Sequence, residues 1–223
     1  MHRLPKPWLF RLQGAGLMLL LVLIVAVLYF NPGVAGWLTY VGYQGKTFAP
    51  APRDFKPIRP RNDVPGVTNF AIVSSNLYRG AAADALGFRT LKLMGVKTVV
   101  DLRQFHSDLP LLKGTGLQYY YLPANPSEID DDEVAQFLRI VRNPDNQPVF
   151  VHCTAGSDRT GVMVAIYRVM DQDWPIEAAA QELPIFGFHR VFQPLLDYLA
   201  ALDRPELNAL AAAIPPPKVL LVR

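Results

Sequence analysis

Residues 149–161 restrict the fold of this 223-residue chain more than any other segment, and they read V-F-V-H-C-T-A-G-S-D-R-T-G. A short apolar run rich in β-branched residues leads into a turn that contains Gly156, and a helical pattern follows from residue 160. Cys153, the only cysteine of the chain, comes directly after the apolar run. Because ligands bind beyond the carboxyl ends of strands in parallel α/β sheets, the segment predicts a strand–turn–helix unit with a thiol at the ligand-binding edge.

Strand and helix patterns alternate on both sides of this unit. Strands are predicted over 98–102, 117–122 and 148–152, with an edge strand or hairpin within 69–78. Helices are predicted over 82–94, 130–141, 160–170, 176–183, 192–202 and 207–214. An Asp-x-x-Glu pair, Asp130 and Glu133, indicates where the second of these helices begins. This alternation favours an α/β fold with a mainly parallel central sheet flanked by helices.

The N-terminal region predicts a membrane segment. Residues 12–30 are apolar and uncharged, and about 20 such residues span a bilayer as a helix. Arg3, Lys6 and Arg11 precede the run, so the positive-inside rule places the N-terminus in the cytoplasm and the folded domain across the membrane. A signal peptide cleaved near residues 33–35 is the alternative, and it places the domain on the same side. A buried core helix is a third interpretation.

The predicted organisation has five parts. They are a basic cytoplasmic stretch (1–11), a transmembrane signal-anchor helix (12–30), a juxtamembrane and proline-rich linker (31–66), a folded domain (67–204), and a C-terminal helix with a proline-containing tail (205–223). The net charge is only +3, and no concentrated basic face indicates nucleic-acid binding. A single cysteine excludes an internal disulfide and a multi-cysteine metal site.

The turn after Cys153 has the chemistry of an anion site. Successive backbone N–H groups in such a turn form a nest for anions, and the helix N-terminus adds positive potential. The same potential favours the thiolate form of Cys153. Arg159, six residues on, carries a planar fork that matches two oxygens of a phosphate. A nucleophilic thiolate beneath a clamped tetrahedral dianion predicts phosphoryl transfer, whereas a buried cysteine that merely packs would leave the Arg-Thr-Gly helix start unexplained.

This pattern resembles the signature loop of the cysteine-dependent protein tyrosine and dual-specificity phosphatases. The matching residues are His152, Cys153, Gly156, Arg159, Thr160 and Gly161. Residues 76–81 and 95–103 are similar to the N-terminal half of small bacterial dual-specificity phosphatases, which are themselves similar to an atypical plant and fungal group. The resemblance covers about residues 67–200 and includes a hydrophobic segment before a periplasmic domain. It implies a phosphatase that needs no metal or other cofactor.

The resemblance also implies roles for individual residues. Cys153 attacks phosphorus and becomes phosphocysteine, Arg159 holds the equatorial oxygens, and Thr160 donates to the thiolate. His152 orients the loop or simply packs at the strand end. The phosphate is cradled by the backbone of Thr154, Ala155, Gly156, Ser157, Asp158 and Arg159. Asp158 itself is expected to pack against the backbone or hydrogen-bond it.

The general acid is less clear from the sequence. The family places an aspartate on a loop before the signature, and here Ser127 stands near the expected position. Asp130 is the favoured candidate, although it is also the best helix cap, and Asp131 and Glu128 stay open. A second polar cluster is predicted from Arg79, Arg103, His106 and Asp108. It lies either on the rim where substrate approaches or in salt bridges that hold loops.

The sequence is compatible with four functions. The first is dephosphorylation of phosphotyrosine and phosphoserine/threonine in proteins, with the membrane as a partner through the N-terminal helix. The second applies the same chemistry to phosphoinositides or inositol phosphates, although Ser157 stands where such loops often carry lysine. The third is a phosphate-binding module without turnover. A rhodanese-like sulfurtransferase is the fourth, but it does not need Arg159 at this spacing.

Overall fold

A computed structural model describes residues 48–50, 54–215 and 217–221. Its strands are β1 (Ala71–Ile72), β2 (Leu77–Gly80), β3 (Thr98–Asp101), β4 (Gln118–Tyr121), β5 (Val149–His152) and β6 (Leu220–Leu221). Its α-helices are α1 (Ala85–Leu93), α2 (Leu109–Leu112), α3 (Asp131–Arg142), α4 (Asp158–Asp171), α5 (Ile176–Ile185), α6 (Gln193–Ala200) and α7 (Arg204–Ala213). Two 3-10 turns cover Pro144–Asn146 and Arg190–Phe192.

The described strands form one mixed sheet in the order β1-β2-β5-β3-β4-β6. The four central strands are parallel, as the strand–helix alternation predicts, and the two-residue edge strands β1 and β6 are antiparallel to their neighbours. Strand β5 is central, so its carboxyl end lies between the ends of β2 and β3. His152 is in register with Gly80 on one side and with Asp101 on the other.

Alternating side chains of the central strands enter two separate cores, because successive residues of a strand point to opposite faces. Val100, Val149 and Val151 face a core that includes residues of α3, α4 and α5. Val99, Tyr119 and Phe150 face the other core, which is covered by Phe88 and Leu91 of α1 and by Leu112 of α2. Helices therefore pack on both faces of the sheet, and both faces hold the end of β5 rigidly.

Helix α3 begins where its sequence predicts. The Asp130 side chain accepts a hydrogen bond from the Glu133 amide at 2.7 Å, and Glu133 Oε2 accepts one from the Asp130 amide at 3.3 Å. This reciprocal capping box satisfies two amides at the helix start that have no intrahelical partner. The apolar stripe of α3, which includes Val134, Phe137 and Leu138, is fully buried.

The structure differs from the sequence-based expectations at the edges of the domain. Helix α2 was not predicted. The C-terminal tail adds an edge strand to the sheet, because β6 pairs with β4. The end of the predicted linker 31–66 also contacts the domain: the Ile58 amide donates to Glu182 Oε1 at 3.0 Å, and Val64 is buried. Burial of apolar side chains from this proline-rich segment against the core stabilises the folded domain.

The predicted transmembrane helix at 12–30 lies outside the described residues. Among the described residues, no helix combines the length and the apolar character needed to cross a bilayer.

Candidate active site

The loop after β5 folds against the end of β2, and Gly156 makes this approach possible. Gly156 has a φ of +70°, a left-handed conformation that favours glycine. A Cβ atom there would lie 2.4 Å from the carbonyl carbon and oxygen of Gly80. Any other residue would therefore be strained and would also collide with the backbone of β2. The close approach of Gly156 to Gly80 therefore sets the distance between the loop and β2.

Three successive carbonyl groups of the loop are bound from outside it. The Ala82 amide donates to the Thr154 carbonyl at 3.1 Å, Asn69 Nδ2 to the Ala155 carbonyl at 2.9 Å, and Arg79 Nη2 to the Gly156 carbonyl at 2.7 Å. Within the described part of the chain, the backbone amides of residues 154–159 donate to no other residue. Carbonyls held outward and amides left open are the arrangement of an anion-binding nest. The phosphate cradle stays a prediction, and the open amides support it.

Cys153 lies at the start of this nest and is almost completely buried. Arg159 is half-buried, and its Nη1 donates to the carbonyls of Leu102 at 3.0 Å and Ala124 at 3.4 Å. These two carbonyls follow β3 and β4, so Arg159 joins the three loops that leave this edge of the sheet. The predicted Thr160 bond to the thiol is not formed: Thr160 is buried, and its hydroxyl has no partner among the described residues.

His152 is packed behind the thiol in a charged network. Its Nδ1 lies 3.2 Å from the Cys153 carbonyl, and its Nε2 lies 3.0 Å from Asp108 Oδ2. The second contact is electrostatic, because its angles fall outside hydrogen-bond geometry. Burial opposes ionisation of Asp108, but the contacts with His152 and Arg103 together lower the pKa of its carboxyl. The network supports the predicted role of His152 in orienting the loop.

Arg103 holds this network together and does not reach the site. It donates through Nε and Nη2 to the two Asp101 oxygens at 2.9 Å, and it also pairs with Asp108. Asp101, Asp108 and His152 have ligand atoms within 4.8 Å of one another, a spacing that could suit a metal ion. The Arg103 guanidinium already binds both carboxylates, so the group fits a salt-bridge network and not a cation site.

The second polar cluster is therefore not one cluster, and its four members lie in three different settings. Arg103 and Asp108 form the loop-holding salt bridge that was the alternative interpretation. Arg79 is fully buried beneath the loop. His106 is exposed and contacts the carbonyl of its neighbour Phe105. Tertiary contacts place Arg79 and Asp108 in the interior.

The loop that follows β4 holds the three acid candidates on the same edge of the sheet. Asp130 is exposed, and its carboxylate caps α3. Asp131 is exposed and accepts a hydrogen bond from the Tyr198 hydroxyl at 2.6 Å. Glu128 is exposed, and its amide closes a turn with Asn125. The loop joins the site through Ala124, whose carbonyl binds Arg159. No contact with Cys153 or Arg159 singles out one carboxylate within the described residues.

Sequence reasoning missed a contact between Asp158 and His189. Asp158 Oδ1 accepts from the His189 amide at 2.7 Å, which agrees with the expected backbone hydrogen bond. The His189 Nδ1 atom also lies 3.1 Å from both carboxylate oxygens. The histidine side chain is exposed, while Asp158 is largely buried. The pair fastens the loop before α6 to the anion nest, and its separation of 31 residues leaves no local signal in the sequence.

The fold and the site together define a class of α/β protein. A loop from Cys153 to Arg159, with open backbone amides, follows the central strand of the sheet's parallel core at its carboxyl end. The sequence profile of the tyrosine phosphatase family matches residues 65–210, which is more than half of the chain. The chain belongs to this family, and the resemblance seen in the sequence is confirmed.

Individual relatives agree with this assignment. TpbA of Pseudomonas aeruginosa, a dual specificity protein phosphatase, is 34% identical over 121 residues, which are 54% of this chain and 55% of TpbA. The inositol diphosphatase SIW14 of Saccharomyces cerevisiae is 26% identical over 153 residues, which are 65% of this chain and 54% of SIW14. The match thus spans about half the length of these curated relatives. A crystal structure of TpbA is 29% identical with a TM-score of 0.62, covering 70% of this chain and 98% of the TpbA chain.

Proposed function

We propose that this protein hydrolyses phosphomonoesters with Cys153 as nucleophile and acts on phosphotyrosine and phosphoserine/threonine in proteins. The observation that carries the proposal is the nest of open amides between Cys153 and Arg159. A tetrahedral dianion bound there would accept hydrogen bonds from these amides, directly above the start of α4. The dual specificity named for TpbA supports the same substrate class.

The chemistry follows from the positions of the two groups. The Cys153 thiolate attacks phosphorus, a sulfur–phosphorus bond forms, and the bond from phosphorus to the ester oxygen breaks. The leaving oxygen takes a proton from a carboxylic acid on the loop that follows β4, for which Asp130 stays the favoured candidate. Water then attacks phosphocysteine, which releases inorganic phosphate and restores the thiolate. Arg159 and the loop amides stabilise the charge on the equatorial oxygens in both steps.

Inositol phosphates are the second candidate substrates, because SIW14 is named an inositol diphosphatase. They carry more negative charge than a phosphorylated side chain. The middle of this loop has Ser157, which is neutral, and Asp158, which is acidic and bound to His189. An acidic residue in the loop matches a highly anionic substrate less well. This observation favours phosphoprotein substrates over inositol phosphates.

The test of the proposed function is phosphate release by the purified full-length chain in detergent. We expect hydrolysis of p-nitrophenyl phosphate in the presence of EDTA and none with Cys153→Ser. Equal activity in that variant would refute the cysteine mechanism. Binding of inorganic phosphate without turnover by the unaltered chain would support the idle phosphate-binding module instead. A panel of phosphotyrosine, phosphoserine and phosphothreonine peptides and inositol phosphates then ranks the substrate classes by kcat/KM.

We also propose that residues 12–30 anchor the protein in a membrane as a single pass, with the N-terminus cytoplasmic and the phosphatase domain periplasmic or otherwise extracytoplasmic. The support is the apolar run and the preceding Arg3, Lys6 and Arg11. Protease added to intact cells with a permeable outer layer should digest the domain. Digestion only after the inner membrane is broken would contradict this orientation.

A further inference from the structure

Arg79 lies directly beneath the anion nest. It belongs to β2, pairs in register with Val151 of β5, and has no exposed surface. Its Nη2 donates to the Gly156 carbonyl at 2.7 Å, and its guanidinium carbon lies 3.7 Å from the centre of the Phe186 ring. The aromatic face and the carbonyl stabilise a cation in this position. The side chain thus forms the floor on which the nest rests.

The charge of Arg79 has no carboxylate partner in the described part of the chain. Its Nε and Nη1 atoms lack hydrogen-bond partners there. Glu182 is the nearest candidate, but its Oε1 accepts from Arg168 Nη2 at 2.9 Å and its Oε2 from Arg168 Nε at 3.2 Å. Burial lowers the pKa of Arg79 to about 9, while Glu182 and then Cys153 oppose that change. Arg79 is therefore still cationic at neutral pH.

A buried cation without a counter-charge is costly, and a fold keeps one only where an anion offsets it. The anions that the proposed reaction brings to this place are the Cys153 thiolate and the phosphate in the nest. Arg79 binds the Gly156 carbonyl of the same loop that would hold them. Arg168 provides the contrast: it is equally buried, but it is paired with Glu182.

We propose that Arg79 is a positioning residue that supplies the buried counter-charge for the Cys153 thiolate and the bound phosphate. This inference rests on the proposed function. Through its bond to the Gly156 carbonyl, Arg79 also keeps the neighbouring amides turned toward the nest. Arg79 acts through the loop and does not touch substrate. In this it differs from Arg159, whose proposed role is to bind the phosphate oxygens directly.

The other charged groups around the nest are already engaged. Arg159 is bound to backbone carbonyls. His152 lies against Asp108, which Arg103 neutralises, and Asp101 is bound by Arg103 as well. Asp158 is bound by His189. Arg79, Arg168 and Glu182 are the further charged groups near the loop. Arg79 alone among the described groups adds an unpaired charge beneath the loop.

The test is the pH dependence of Cys153 alkylation by iodoacetamide in the full-length protein in detergent. Because the chain has one cysteine, labelling reports on that thiol alone. Arg79→Met should move the pH midpoint of alkylation upward by about one unit, a tenfold change in the thiolate equilibrium. It should also weaken the binding of inorganic phosphate about tenfold. An unchanged midpoint in folded Arg79→Met would overturn the proposal.

The matched control removes the other buried arginine together with its partner. The double variant Arg168→Met with Glu182→Gln loses a buried cation and a buried anion, so it leaves the net charge near the loop unchanged. It should lower thermal stability without moving the alkylation midpoint. A midpoint that rises as much as in Arg79→Met would show that general loosening, and not the charge of Arg79, controls the thiol.

Arg79→Lys decides the question if Arg79→Met does not fold. Lysine keeps the charge but loses the planar fork that binds the Gly156 carbonyl. The alkylation midpoint should stay near that of the unaltered protein, while inorganic phosphate binds several-fold more weakly. Unaltered phosphate affinity would overturn the proposal. Neither measurement needs turnover, so failure of this inference is distinguishable from failure of the proposed phosphatase activity.

Discussion

The Nε2 atom of His152 lies 3.0 Å from Oδ2 of Asp108, and both residues are buried behind the thiol. Asp108 begins helix α2, a four-residue element that closes the loop after β3. The contact therefore joins His152, the residue before Cys153, to the segment that connects β3 to β4. Helix α2 buries few residues, but the residue that precedes it helps to orient the active-site loop.

Replacing Asp108 by Asn is expected to lower the free energy of unfolding by about 3 kcal/mol at pH 7, because it removes the buried carboxylate that pairs with Arg103 and lies against His152. The pKa of Asp108 is lowered in the folded state. Its stabilisation is therefore full above the unfolded value, near 4, and is lost as the pH falls. Urea unfolding at pH 7 and below pH 4 should show the difference between the variant and the unaltered protein shrinking with acid.

The control for Asp108 is Asp63→Asn, which alters an exposed ion pair with Arg61. Exposed ion pairs contribute little to stability because water and salt screen them, so this variant should unfold almost like the unaltered protein. Equal losses in the two variants, or a loss in Asp108→Asn that does not depend on pH, would contradict the network described above.

Gly156→Ala should destabilise the domain and abolish inorganic phosphate binding, because its Cβ would meet the backbone of Gly80. Gly95→Ala is the matched control: Gly95 also has a positive φ, but a Cβ there meets nothing within 4 Å. Left-handed strain alone costs about 1–2 kcal/mol, so Gly95→Ala should lose that much and still bind phosphate. Thermal unfolding and calorimetric phosphate titration measure both effects. Phosphate binding by Gly156→Ala would contradict the close approach of β2.

Local signals in the sequence predict the parts of the fold that depend on neighbouring residues. The apolar run before Cys153 predicts β5, and the Asp130–Glu133 spacing predicts the start of α3. The two residues of β6 and the four of α2 are too short to show any periodicity. For this reason β6 and α2 were missed, although the parallel centre of the sheet and the hairpin within 69–78 were predicted.

The missed features of the site depend on contacts between distant residues. Arg79 and Gly156 are 77 positions apart, and an arginine in a strand is predicted to face water because arginine is rarely buried. The partner of Asp158 is His189, 31 positions later on a loop without a recognisable motif. The sequence predicts an anion nest over residues 153–159 and a supporting role for His152, but it does not predict the distant supports Arg79 and His189.

Glu133 should make stability depend on pH. Burial raises the pKa of its carboxyl to about 7, despite the hydrogen bond from the Asp130 amide. The folded state therefore favours the protonated form. Stability is full below the unfolded pKa, about 4.3, and falls as the pH rises through 7. Glu133→Gln keeps the capping box, and it should match the unaltered protein at pH 4 and be more stable at pH 8.

Glu206→Gln is the control for Glu133, since Glu206 holds the same third position after an aspartate cap, in α7, but is exposed. Its effect on the urea midpoint should be the same at pH 4 and pH 8. A Glu133→Gln effect that is equally independent of pH would show that burial does not control this carboxyl.

Asp130→Asn separates the two roles of the favoured acid candidate. Asparagine caps helices about as well as aspartate, so the thermal stability of α3 and of the domain should not change. It cannot donate a carboxyl proton, so kcat on an aryl phosphate with a poor leaving group should fall about 10²-fold, the usual contribution of general acid catalysis. The better leaving group p-nitrophenol should reduce that loss. Asp131→Asn and Glu128→Gln are measured beside it, and a comparable loss in either, with Asp130→Asn fully active, would move the proton donor to that residue.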